Sequence, residues 1–112
     1  MASGTLNGRS VLNHAFGNTT GTSVPLVSAI AGQRAGIYAL LITVSAAATV
    51  TVQDTTGAAL SQGFQLPANG SIALDVTANG DPWFQSQAGR GLQLALSASA
   101  TVGYDVYWLP SV

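Results

Sequence analysis

Ile37-Tyr38-Ala39-Leu40-Leu41-Ile42-Thr43-Val44, followed by Ser45-Ala46-Ala47-Ala48 and then Thr49-Val50-Thr51-Val52-Gln53, is the stretch on which the fold turns. Side chains two apart share a face of a pleated strand, so Tyr38, Leu40, Ile42 and Val44 form one row. Leu41 and Ile37 make the opposite face apolar as well, so a second surface is expected to cover it. Ser45–Ala48 is expected to turn the chain. The run Thr49–Gln53 then returns with strict alternation, Val50 and Val52 on one face and Thr49, Thr51 and Gln53 on the other. Alanine and leucine alone would allow a helix over Ala35–Ala48. The β-branched residues and the alternation that follows decide for strand.

Further strands follow the same logic. Val24–Ile30 is a short strand in which Pro25 suits an edge. Asp54-Thr55-Thr56-Gly57 has the chemistry of a surface turn. Phe64-Gln65-Leu66 leads through Pro67-Ala68 to Asn69-Gly70, a hairpin signal, and then to Ser71–Val76 with Ile72, Leu74 and Val76 inward. Ala78-Asn79-Gly80-Asp81-Pro82 reads as a turn before Trp83-Phe84-Gln85. Leu92–Leu96 alternates, Ser97–Ala100 is expected to turn, and Thr101–Leu109 closes the chain. In that last strand Val102, Tyr104, Val106 and Trp108 face one way, Asp105 and Tyr107 the other. About eight short strands without a convincing helix predict an all-β, single-domain antiparallel sandwich or jelly roll.

Residues 1–23 are polar and weakly periodic, only Ser10–Phe16 reading as a candidate short strand, and are expected to form an N-terminal arm ahead of a β-sandwich domain at 24–112. The arm has two readings. It is a frayed terminus, or it orders against a neighbouring subunit through Leu6, Leu12 and Phe16.

Composition narrows the function. Of 112 residues 47% are hydrophobic and only 6% charged, with neither Lys nor Glu, against roughly 25% charged in ordinary domains. A net charge of −1 gives no attraction to nucleic acid or to an acidic membrane surface. No run reaches the roughly 18 apolar residues of a membrane span. Such a chain is expected to cover its surface with partners. The absence of cysteine excludes disulfides and thiolate metal sites, and the single His14 cannot build a histidine cluster, so no cofactor is expected. His14 lacks a carboxylate neighbour in sequence to make it a general base. Asp54, Asp75, Asp81 and Asp105 read as turn or outward strand positions rather than a paired-carboxylate site. Gly89-Arg90-Gly91 lacks the Lys-Ser/Thr ending of a phosphate loop. It is expected to present Arg90, with Arg34 of the Gly32–Gly36 loop at the same end, to a partner carboxylate. Tyr107, outward beside Asp105, is assigned to an interface because aromatics anchor such patches. A sugar-binding aromatic platform is the competing use.

The runs Leu66-Pro67-Ala68-Asn69-Gly70, Gly80–Gly89 and Leu92–Ser97 resemble small β-sandwich virion proteins of tailed bacteriophages, over about residues 25–109. The resemblance implies a non-enzymatic protein of the phage head, made in the host cytoplasm. It implies a capsid decoration or cement subunit that forms a homotrimer and binds the major capsid protein. The alternative is a receptor- or glycan-binding module of a tail or fibre.

Overall fold

The computed structural model describes residues 12–76 and 80–112 in full, and 5–6 and 9–10 as backbone. Among them the chain is all β, without a helix. Two short strands, β1 (Thr5–Leu6) and β2 (Arg9–Ser10), pair with each other. The main sheet holds β3 (Asn13–Val27), β4 (Arg34–Val44), β5 (Ala48–Asp54), β6 (Phe64–Leu66), β7 (Ser71–Leu74), β8 (Phe84–Gln85) and β9 (Leu92–Ser111).

The organising strand is β9, because every long strand pairs with it. Along one edge it carries β3 over almost its whole length, from Asn13↔Trp108 to Val27↔Leu92. Along the other edge it carries β4 beside its second half, Arg34↔Ser111 to Val44↔Val102, and β5 beside its first half, Val50↔Leu96 to Asp54↔Leu92. The expected reversal at Ser45–Ala48 is therefore a corner. The chain bends there and continues antiparallel to β9 instead of returning along β4. Ser97–Ala100, expected as a turn, lies inside β9 at the same corner. In β3 the register shifts between Gly21 and Ser23 at that level.

The physical reason is that polar side chains hold the bend across the ladder. Ser45 N donates to Thr101 O at 3.0 Å. Thr101 N donates to Ser45 Oγ at 2.9 Å, and Thr49 N to Ser97 Oγ at 2.8 Å. A sheet that bends at such a level can fold over its own inner face. One half is completed by β7 and β8 on β4, the other by β6 on β5. The result is an antiparallel domain nearly closed on itself, the expected sandwich class, built around three long strands, β3, β4 and β9.

One apolar cluster fills the inside and draws on both halves: Val24, Ile37, Ile42 and Val106 with Val50, Val52, Leu94 and Val102, all buried. The row on β4 differs from strict alternation. A bulge between Ile37 and Ala39 inserts Tyr38 as the extra residue. Ile37, not Tyr38, therefore joins the inward row of Leu40, Ile42 and Val44.

Four further expectations change. Asn69, at φ 61°, and the Gly70 N to Pro67 O bond of 2.9 Å do form a tight turn. It is not a hairpin, because β6 belongs to β5 and β7 to β4, so the turn carries the chain between halves. Val76 is exposed rather than inward. Asp54 is buried rather than at the surface, although it does bond the backbone of its own turn as expected, its carboxylate accepting from Thr56 N, Thr56 Oγ1, Ala58 N and Arg90. Finally, β3 starts at Asn13 and runs through Ser23 into Val27, so the boundary expected after residue 23 falls inside a strand. The segment extended from Asn13 is held by β9 rather than left as an arm. The Ala78–Pro82 turn falls partly outside the described residues.

Candidate docking face

Alternation on the half-sheet of β3, β9, β4 and β7 sends one set of side chains away from the core. Register then lines them into rows. Phe16 lies opposite Asp105, Asp105 opposite Leu41, and Leu41 opposite Ala73. The neighbouring row runs His14, Tyr107, Ala39. Phe16 is 70% exposed and Leu41 42% exposed on this outer surface. Val76 lies 60% exposed just past β7. Leu12, Leu41, Ala73, Val76, Asp105 and Tyr107 line an open groove of about 750 Å³ across it.

The polar groups on the face are tied to one another. His14 Nε2–H donates to Asp105 Oδ1 at 2.7 Å. The His14 ring stacks on Tyr107 with centroids 4.4 Å apart and planes 3° from parallel, and tilts against Phe16 at 5.0 Å. These are cross-strand pairs of the kind that stabilise a sheet surface. They also fix Tyr107 and Phe16 in place, which lowers the entropy cost of burying them against a partner.

A histidine oriented by a carboxylate has half of a catalytic arrangement. The rings of Phe16 and Tyr107 pack against it, and among the described residues no hydroxyl or thiol is hydrogen-bonded to the imidazole. Among the described residues no group of three His, Cys, Asp or Glu is placed to hold a metal ion.

Of the side chains singled out from sequence, Leu12, Phe16 and Tyr107 come together here. Leu6 lies in β1, its side chain outside the described residues. The two arginines do not join the face. Arg34 is exposed at the start of β4. Its loop meets the glycine loop as expected, Gly89 N donating to Gln33 O at 2.8 Å. Arg90, expected to reach a partner carboxylate, instead binds Asp54 Oδ2 at 3.1 Å. The Thr56 hydroxyl bond above all, with the Thr56 amide and this Arg90 pairing adding to it, holds the Asp54 carboxyl down from 3.8 to about 2 against desolvation. The contribution of Val76 was not legible, because alternation places it inward. Leu41 was visible as the apolar residue facing away from the Leu40–Ile42 row.

No protein-family model matches the chain, and no curated protein or solved structure matches it.

Proposed function

We propose that this chain is a non-enzymatic bacteriophage structural protein, a decoration or cement subunit whose outer sheet face docks on the major capsid protein. The observation that carries the reading is a set of exposed apolar side chains, Phe16, Leu41 and Tyr107, in two adjacent rows around the His14–Asp105 pair, with Val76 beside the groove. Contiguous apolar surface of this kind marks interaction sites. The low charge of the chain fits a surface that is covered in use. The resemblance of residues 25–109 to small phage virion proteins supplies the kind of partner.

A glycan-binding module would use the same aromatics differently. Sugar platforms present an open ring face, and one face of Tyr107 is occupied by the stacked His14. Docking by burial is therefore the better use of this surface. The test adds the purified protein to empty phage heads that lack it. Co-sedimentation with heads is the expected result. Retention on a host surface polysaccharide, with none on heads, would transfer the reading to a tail or fibre module.

A further inference from the structure

The outer edge of β3 carries a second, separate property. Of its two edges one is paired with β9 except at Thr22 and Leu26, and the other has no partner strand among the described residues. An edge of this length presents a row of free N–H and C=O groups, a template for another strand. Natural edges are usually blunted by charge, proline or a bulge. Here the protection is confined to one end: Pro25 and the register shifts lie at Gly21–Val27. From Asn13 to Gly21 the register with β9 is unbroken, and the sequence NHAFGNTTG contains no Lys, Arg, Asp, Glu or Pro. At roughly 3.3 Å per residue this straight, uncharged stretch is about 30 Å long.

We infer that the Asn13–Gly21 edge of β3 pairs antiparallel with the same edge of a second copy, about a two-fold axis, so that the sheet runs on from one protomer to the next. An antiparallel edge is self-complementary, since each strand offers the donors and acceptors that the other lacks. No like charges meet across it, because the stretch contains no Asp, Glu, Lys or Arg. The other outer strands offer far shorter ladders: β6 has three residues, β7 four and β8 two. A three-fold ring closed by strand pairing would have to join β3 to one of these and leave most of its edge bare. Directly opposed residues in a ladder point to the same side. His14, Phe16, Asn18 and Thr20 of the two copies therefore share one outer surface, and the two docking faces lie side by side. The pairing does not depend on what that face binds.

The experiment uses the full chain and an Asn18→Lys/Thr20→Lys variant, both changes at exposed outward positions. Sedimentation equilibrium should give a dimer for the wild type. The variant should associate roughly a hundredfold more weakly, because four like charges then crowd one ladder. Hydrogen exchange on the wild type provides the second arm, independent of the variant's folding. Amides within Asn13–Gly21 should gain protection as protein concentration rises into the dimer range. A wild-type monomer up to millimolar concentration, a trimer, or a dimer whose Asn13–Gly21 amides exchange at the monomer rate would each overturn the inference.

Discussion

Ser45 and Thr101 close the corner of the bent sheet by exchanging two hydrogen bonds, Ser45 N to Thr101 O at 3.0 Å and Thr101 N to Ser45 Oγ at 2.9 Å. The second bond comes from a side chain, and Ser97 repeats the device one step along by accepting from Thr49 N at 2.8 Å. The bend between the two halves thus depends on serine hydroxyls that stand in for backbone acceptors.

Replacing both serines should loosen the corner without unfolding the core. Ser45→Ala/Ser97→Ala removes two partially solvated bonds worth about 0.5–1.5 kcal/mol each. The expected result is a stability loss of about 1–3 kcal/mol with faster amide exchange at Thr49 and Thr101. An unchanged denaturation midpoint and unchanged exchange would show that the corner is held by other contacts.

Leu94 is fully buried between the halves, whereas Leu41 stands on the outer face. Leu94→Ala should cost about 2–5 kcal/mol by opening a cavity. Leu41→Ala should stay within about 0.5 kcal/mol of wild type, as exposed substitutions do. Urea midpoints measure both, and equal losses would mean that the faces of β4 and β9 are misassigned.

Gly91 has no room for a side chain, because a Cβ there would run into the backbone of Val27, Ser28 and Ala29. Gly91→Ala should therefore force the loop after Val27 off β9, at a cost of about 1–3 kcal/mol or more. Gly57→Ala is a different case. It meets open space and is strained only by its φ of 94°. Thermal melting of the two variants separates steric from backbone effects. Gly91→Ala at wild-type stability would contradict the packing.

The Asp54 carboxyl titrates at about 2 in the folded chain against an ordinary 3.8. A depressed folded value means that its contribution is fully present above the unfolded value and disappears as pH falls through the folded one. Stability should thus decline between about pH 4 and pH 2. Asp54→Asn should flatten that decline and lower the midpoint at neutral pH, because the amide cannot match the ionised acceptor for Thr56 and Arg90. Urea midpoints measured across this range for the wild type and the variant make the comparison. A profile for Asp54→Asn parallel to wild type would assign the acid sensitivity elsewhere.

The alternation at Thr49–Gln53, Leu92–Leu96 and Thr101–Leu109 made the strands and most of the core readable from sequence. What alternation does not carry is the partner of each strand. Ser45–Ala48 has turn composition, and only the hydrogen bonds of Ser45 and Ser97 reveal that it bends a continuing ladder. Asn69-Gly70 marks a turn locally, but its flanking strands part to different neighbours. Of the segment from Asn13 to Ser23 only the part up to Phe16 is legible as a possible strand, because Asn, Thr and Gly fill the rest; all of it is strand because β9 offers it an edge. On the candidate face, Phe16 and Tyr107 were legible as anchors. Their meeting with Leu41 and Val76 required the registers. Arg90 was misread because its partner, Asp54, lies 36 residues away in sequence.

The most direct measurement of the central claim is retention on empty heads of the wild type and of a Phe16→Ser/Leu41→Ser variant, at low and high salt. Both side chains are exposed, so the melting temperature should barely move. Removing two anchors worth roughly 1.5–3 kcal/mol each on burial, before ordering costs, should reduce retention by about a hundredfold or more. Salt should change little, since apolar burial rather than a charge pair would be lost. Full retention of a folded double variant would contradict docking through this face, and strongly salt-sensitive binding of the wild type would assign attachment to charge.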